Sequence, residues 1–421
     1  VTSEPVDFES PTPDRVRAAV REWVEDNWDP DVPLVDWRRR LVGSGWAVPS
    51  WPQRWHGLGL PAWADDVVAN EIQAAGAVGL PLGSGAWLAA PTILEHGPDA
   101  VRERLLGPIL TGEETWCQLF SEPGAGSDLA GLTTRAERDG DEWIVNGQKV
   151  WNTSAHHADF GMLVARTDWD VPKHRGLTYF ALPMRQPGVE VRPLRQMNNH
   201  SSFNEVFMTD ARVADAYVVG TIGDGWSVAL TTLAYERRFG GMGRPHIASG
   251  SGRALEEARR EAEEHFGTYR WYPQRAGRVD LVVERARESG LAEDPVARLA
   301  VAKVLSVQRA SGWTADRARA ARALGRPPGA EGSIGKLALS EVARQSAAVH
   351  SLLAGADGML TGPDSLHDGM IAEVLVSVPA QSIAGGTDEI QHNILGEKVL
   401  GLPREPSTDR DTPFRDIPRN A

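Results

Sequence analysis

The sequence predicts an α+β protein built in three successive parts: helices, then a block of antiparallel strands, then a helical bundle. Three observations predict it. Apolar residues recur at helical spacing through the first quarter of the chain, alternate from Trp116 onward, and return to helical spacing after Gly225. The strand-like runs follow one another directly instead of alternating with helices. The expected division is an N-terminal helical domain over 1–115, a middle antiparallel β-domain over 116–222 and a C-terminal helical bundle over 223–421.

Each part has its own local signals. "PDRVRAAVREWVEDNW" is amphipathic, "PAWADDVVANEIQAAGA" repeats apolar residues at helical spacing after a Pro start, and "PDAVRERLLGPILTGEE" reads as a helix ending in a turn. In the middle, "DEWIVNGQKVWNTS" alternates around Asn146-Gly147, a dipeptide that predicts a tight type I′ hairpin turn. "FGMLVART", "GLTYFALPM", "VEVRPL" and "FNEVFMTDARV" continue as strands, each bounded by Gly, Pro, Asn or Asp. After Gly225 a long amphipathic stretch runs to "EEARREAEEHF". "DPVARLAVAKVLSVQRASGWTADRARAARAL" then opens on an Asp N-cap with Pro in the first turn, and "GSIGKLALSEVARQSAAVHSLLAG" is a third long helix. The Pro-rich, charged tail "GLPREPSTDRDTPFRDIPRNA" reads as a surface arm.

Composition narrows the function. A formal net charge of −13 argues against a general nucleic-acid binder, while leaving room for a local basic pocket that holds an anionic ligand. No apolar run approaches the roughly 20 residues of a membrane span. The first residues carry no basic-then-apolar leader pattern, so a cytoplasmic enzyme is expected. Cys117 is the sole cysteine, which excludes intramolecular disulfides and thiolate metal clusters. The eleven histidines are scattered, and the adjacent pair His156-His157 would point apart on a strand, so no metal is predicted.

The glycine-rich "SEPGAGSDLAG", Ser121 to Gly131, raises the question of dinucleotide binding. A Rossmann fingerprint needs a strand before the glycines and a helix directly after them. "WCQLF" supplies a strand, but "LTTRAERDGDEWIVNG" is hairpin material, and the glycines read G-x-G-x-x-x-x-G. What remains is a Gly-rich loop leaving a strand in an antiparallel domain, where Gly124 and Gly126 allow close backbone approach to a ligand.

"CQLFSEPGAGSDLAG" resembles the first signature of the acyl-CoA dehydrogenase family, "NGQKVWNTS" its second flavin-contacting segment, and "AGGTDEIQHNILGEKVLGLPRE" its C-terminal signature. "KHRGLTYFALPM" and "FNEVFMTDARV" also fit the family's β-domain, so the resemblance covers nearly the whole chain. It implies FAD as cofactor and an acyl-CoA thioester as substrate. In that family a base takes the α-proton while flavin N5 accepts a hydride from the β-carbon. The protein must position the reactants, polarise the thioester carbonyl and exclude water.

By that resemblance, Gln118, Phe120 and Ser121 would line one edge of the isoalloxazine, with Phe120 and Ser121 hydrogen-bonding its ring atoms. Trp151 would pack against the ring and the Thr153 hydroxyl would reach its N5/O4 edge. Gly126 would give the cofactor pyrophosphate close access, and Ser127 would contact the pantetheine arm. Thr387 and Glu389 correspond to positions that meet the flavin's phosphate and ribityl portion. Many members carry the base two residues before that Thr, where this chain has Gly385. Isovaleryl-type and long-chain members instead place a Glu before an Arg in the helix after the β-domain. "LTTLAYERRFGGMG" puts Glu236 and Arg237 there, Glu236 as base and Arg237 shaping its surroundings.

Two departures concern the adenine half of FAD. The family's Arg-x-x-Phe-Gly and Gln-x-x-Gly-Gly segments are replaced by "RARESGLAEDPVARL", where Arg298 is a substitute candidate, and "LLAGADG". The resemblance further implies an electron-transfer flavoprotein as acceptor and a homo-oligomer, dimer or tetramer, with a hetero-oligomer completing the FAD site as an alternative. A same-fold flavin oxidase is a second alternative. The variety of family member suggested is bacterial and associated with lipid or steroid side-chain breakdown.

Overall fold

The Thr12 hydroxyl accepts a hydrogen bond from the Arg15 amide, and Pro13 occupies the first helical position; α1 therefore runs Pro13–Asn27. The computed structural model describes residues 10–239, 247–323, 329, 331–404, 406 and 409–418. Helices α2 (Leu34–Gly43), α3 (Trp63–Ala74), α4 (Ala90–His96) and α5 (Asp99–Thr111) follow. Val16, Val20 and Val24, one turn apart on α1, meet Leu41, Val68 and Ile72 in a helical core. Gly112, at φ 82°, ends α5 where only a residue tolerant of the left-handed region fits easily.

Alternation after Trp116 builds one eight-stranded sheet. Its strands are β1 (Trp116–Leu119), β2 (Arg135–Asp139), β3 (Glu142–Thr153), β4 (Phe160–Arg166), β5 (Leu177–Pro183), β6 (Val189–Leu194), β7 (Phe203–Ala214) and β8 (Val218–Val219). Their order is β6-β7-β3-β2-β4-β5-β8, with β1 added on β4. The sheet is mixed, not purely antiparallel as the strand succession predicted. β1 pairs with β4 in parallel, and β2 meets β4 in parallel at Arg135 and Arg166. The excursion through β2 and β3 is long enough for the crossover a parallel pair requires. All seven residues of β4 are buried, because Met162 and Val164 face the core shared with α4 and α5 while Leu163 and Ala165 face a second core with Phe180 and Val206.

The hairpin turn expected at Asn146-Gly147 is absent there. β3 runs straight through the dipeptide, and the β2–β3 hairpin closes around Gly140, with Asp139 opposite Glu142. A register shift between Val145 and Gly147 marks a bulge instead. A Cβ on Gly147 would lie 2.4 Å from Thr134 Oγ1, so the glycine permits a close approach. Asn146 is spent on the facing strand, donating to Asp210 Oδ1 at 3.0 Å and accepting the Asp210 amide at 2.9 Å.

The helical stretch after Gly225 is two helices, α6 (Gly225–Phe239) and α7 (Arg253–Thr268). The "GGMGRPH" part of that reading lies outside the described residues. Gly225 lets α6 start against β5, since a Cβ there would sit 2.6 Å from the Thr178 backbone. These elements, with the tail from residue 408, form one compact unit.

A second unit comprises residues 195–201 and 269–407. It holds α8 (Tyr272–Arg275), α9 (Val282–Glu288), α10 (Pro295–Ala323), α11 (Glu331–Ala354), α12 (Met370–Ser377), α13 (Pro379–Ile383) and α14 (Asp388–Ile394). The expected Asp cap is in place: Asp294 Oδ1 accepts the amides of Val296 and Ala297 at 2.9 and 2.8 Å. Val304 on α10 and Val342, Val349 and Leu353 on α11 share one core. Among the described residues no helix is long and apolar enough to cross a membrane.

The tail departs from the surface-arm expectation. Phe414 is buried, its amide donates to the Val171 carbonyl at 2.9 Å, and Pro413 pairs with Pro172. Charge and proline content describe most of this segment, but a buried aromatic ring and backbone hydrogen bonds seat it.

Candidate active site

Strand β1 and the loop after it carry five of the predicted residues. Gln118 is half-buried near the end of β1, Phe120 is buried with its ring edge-on to Tyr179 at 5.9 Å, and Ser121 is half-buried. Gly126 and Ser127 are exposed at the loop tip. A Cβ on Gly126 would meet nothing within 4 Å, so the chain's own packing does not require a glycine there.

β3 passes beside this loop. The Val150 amide donates to the Ser121 carbonyl at 2.9 Å, and Asn152 Nδ2 donates to the Gln118 carbonyl at 2.7 Å. Between those two anchors the register shifts, and Trp151 stands at φ 65° with 55% of its surface exposed. A bulge on an interior strand holding a large aromatic outward in a costly backbone region is the kind of strain that clusters at binding sites. Phe203 supports the ring edge-on at 5.7 Å, and half-buried Thr153 follows it.

Glu236 arrives from the opposite direction. On α6, Thr232 is fully buried and hydrogen-bonds Thr92 Oγ1 at 3.0 Å and the Tyr179 hydroxyl at 3.2 Å. One helical turn later Glu236 lies on the same face. It receives a hydrogen bond from Gln118 Nε2 to its Oε2 at 3.2 Å. The predicted carboxylate and the predicted flavin-edge strand, 118 residues apart in sequence, therefore meet. The backbone of Arg237 belongs to α6, but its side chain lies outside the described residues.

A buried ion pair that sequence reasoning missed ties these parts together. Lys149 is fully buried; its Nζ donates to the Phe120 carbonyl at 2.9 Å and to Glu122 Oε1 at 3.0 Å. Glu122 also accepts the amides of Thr133 and Thr134 at 2.7 and 2.8 Å. Burial alone would raise the Glu122 carboxyl, but Lys149 and the hydrogen bonds from Thr134 and Thr133 outweigh it and hold it at about 2. Burial pulls the Lys149 ammonium down, with Glu122 opposing. The available signal was a lysine at an inward position of an alternating strand, shared with Val145 and Gly147. Cys117 on β1 is buried and its thiol is pushed up to about 12 by burial, so it is inert.

Thr387 and Glu389 belong to the second unit and are described within it. Gly385 and Gly386, at φ 68° and 84°, turn the chain so that the Thr387 hydroxyl caps α14, accepting from the Ile390 amide at 3.3 Å. Glu389 is exposed, and its own amide with the Thr387 hydroxyl holds its carboxyl below the usual range. Asp388, between them, takes Lys336 and Arg344, each at 2.7 Å. Arg298 sits on the first turn of α10, exposed and paired with Glu293 at 2.8 Å. Arg285, not singled out from sequence, is buried, and its Nε and Nη1 have no hydrogen-bond partner among the described residues.

Residues 10–113, 117–211 and 274–400 match the N-terminal, middle and C-terminal domain models of acyl-CoA dehydrogenase. The chain is 33% identical over 412 residues to acyl-CoA dehydrogenase IpdE1 of Mycobacterium tuberculosis, covering 92% of this chain and 97% of that protein. This chain belongs to the acyl-CoA dehydrogenase family. Acyl-CoA dehydrogenase FadE34 of the same organism is 37% identical over 364 residues; these cover 86% of this chain but only 46% of FadE34, so the chain spans less than half of that relative. The ChsE4–ChsE5 complex from M. tuberculosis shares the fold at a TM-score of 0.62 and 25% identity, covering 95% of this chain and 99% of that one. Within the family frame, Glu122 and Lys149 lie inside the first and second signature segments, and their pairing joins the two.

Proposed function

We propose that the protein dehydrogenates an acyl-CoA thioester between its α- and β-carbons, using FAD and Glu236 as the base. The observation that carries this reading is the 3.2 Å hydrogen bond from Gln118 to Glu236, which sets a carboxylate beside the strand end that leads into Phe120 and Ser121. The exposed, strained Trp151 fits a planar ring stacked upon it, and the open space above Gly126 fits a phosphate approaching the backbone. Gln118, Phe120, Ser121, Gly126, Trp151 and Thr153 would hold FAD on this unit, with Thr387 and Glu389 assigned to its phosphate and ribityl portion and Ser127 to the pantetheine arm.

FAD, when bound, supplies the acceptor for the hydride leaving the β-carbon. Glu236 takes the α-proton onto its carboxylate, and the Gln118 amide keeps that carboxylate oriented by donating to Oε2. Lys149 and Glu122 hold the Phe120–Ser121 backbone against β3 and so preorganise the loop. Electrons would leave to an electron-transfer flavoprotein; hydrogen peroxide production in air would instead identify an oxidase.

Glu236→Gln tests the assignment. It keeps the shape and the contact with Gln118 but removes the base, so the variant should purify with its flavin absorbance intact. Anaerobic bleaching by acyl-CoA should slow by about 10²–10⁴-fold. Near-normal bleaching would remove Glu236 from the mechanism.

A mixed assembly is the second reading. It is favoured by the altered adenine-half segments, by Arg298 being engaged with Glu293, and by the relative named as a ChsE4–ChsE5 complex. The chain purified alone should then be colourless and gain FAD on adding its partner; a yellow homo-oligomer would favour the first reading.

A further inference from the structure

The turn after the glycine-rich loop has little sheet to hold it. Residues 126–128 are exposed, and Leu129–Gly131 is a single short 3₁₀ turn. Leu129, Ala130 and Leu132 are buried in the core, and two cations fix the turn's carbonyls and its acid. Arg166, fully buried at the end of β4, donates from Nη2 to the Ala130 carbonyl at 2.6 Å and from Nε to the Leu132 carbonyl at 3.2 Å. Lys173 donates to both carboxylate oxygens of Asp128, at 3.1 and 3.0 Å.

Each cation has a tail residue on its other side. The Phe414 ring centroid is 3.4 Å from Arg166 Cζ, and Asp409 is 3.1 Å from Lys173 Nζ. The tail is seated independently by backbone bonds, Phe414 to Val171 and Arg415 to Trp169 at 2.9 and 3.0 Å, and Trp169 packs on Phe414 at 5.3 Å. Sealing a guanidinium away from water is costly unless carbonyls and an aromatic face surround it, and here the tail provides the nearer face, with Trp169 at 5.7 Å.

We propose that the C-terminal segment Asp409–Ile417 positions the acyl-CoA-contacting turn Ser127–Leu132, with Phe414 and Asp409 as positioning residues that act through Arg166 and Lys173. The proposal rests on the assignment of Ser127 to the pantetheine arm. Burial pulls the Lys173 ammonium down, and Asp128 and Asp409 together outweigh it, in keeping with a three-membered cluster. Without Phe414, water reaches Arg166 and its grip on two carbonyls loosens. Without Asp409, Lys173 keeps a single acidic partner in the pair and a freer ammonium.

The test compares the FAD-loaded protein with Phe414→Ala, Phe414→Tyr and Asp409→Asn. Hydrogen exchange of the unliganded protein at the amides of residues 129–134 reads the mechanical step without reference to any substrate. Steady-state kinetics with an acyl-CoA reads the functional step. Phe414→Ala should speed exchange in that stretch and raise KM by about tenfold, with kcat within about twofold and flavin content unchanged. Phe414→Tyr should stay near wild type because it keeps the ring, and Asp409→Asn should raise KM by about threefold.

Unchanged exchange in Phe414→Ala would overturn the positioning role whatever the substrate proves to be. Faster exchange with unchanged KM would overturn the link to acyl-CoA, as would a fall in kcat alone. A wild-type protein inert toward every acyl-CoA would sink the dehydrogenase reading and with it the link to acyl-CoA, while the exchange data still decide whether the tail orders this turn.

Discussion

Glu122 and Asp388 each lie in a signature segment, each accepts a lysine, and the two arrangements carry different stakes. Glu122 and Lys149 are sealed, with side chains 6% and 0% exposed. Asp388 is shared between Lys336 and Arg344, and Arg344 leaves 48% of its side chain in water. The sealed pair is a joint: one carboxylate collects Lys149, Thr133 and Thr134 and so locks the loop after β1 to β3. The open cluster docks the start of α14 onto α11, with solvent ready to replace its outer cation. The same charge chemistry is thus structural to different degrees, because water screens and substitutes for one and not for the other.

Breaking the sealed joint should have the largest effect. Lys149→Met leaves Glu122 buried without its countercharge and should cost about 3–5 kcal/mol in urea unfolding. Adding Glu122→Gln in the same chain should recover a substantial part of that loss. A single variant within about 1 kcal/mol of wild type would mean that the joint is less closed than its geometry.

Acid should probe the same joint next. Glu122 titrates at about 2 when folded against an ordinary value of 4.5. Its depressed value means that its stabilisation is fully present above the ordinary value. That stabilisation, about 3 kcal/mol, is lost progressively as pH falls from about 5 through 2. Asp388 is also held below its usual range, burial being outweighed by Lys336 and Arg344, so its contribution fades in the same direction. Glu122→Gln should flatten the acid limb of a stability profile; an unaltered limb would assign acid sensitivity elsewhere.

Arg344→Ala should give the smallest effect. Lys336 remains on Asp388, water replaces the exposed guanidinium, and the loss should be under about 1 kcal/mol, readable as a small shift in urea midpoint. A loss as large as that of Lys149→Met would erase the distinction between the two clusters.

The elements themselves were legible from local pattern. Asp294 caps α10 as its position before Pro295 implies, and α1, α3, α5 and α11 fall where helical spacing places them. Legibility failed where one local signal served a tertiary purpose. Asn146-Gly147 carries turn chemistry, yet Gly147 is there because Thr134 passes too close for a Cβ, and Asn146 because Asp210 faces it. The tail looked solvated because Phe414, buried among the described residues, is flanked in sequence by Pro, Asp and Arg. Lys149 was not singled out, since an inward strand position alone does not say that Glu122 will be sealed against it.

By itself the sequence determined the succession of helices and strands, the family, and the candidate residues from Gln118 to Glu389, because periodicity, caps and signature spacing are written in short stretches. Only the tertiary structure decided that β1 joins β4 in parallel, that Trp151 is turned outward on a bulge, that Glu236 meets Gln118, and that the tail closes over Arg166. Those outcomes depend on which distant groups exclude water from one another, and burial is a property of the assembled chain rather than of any window along it.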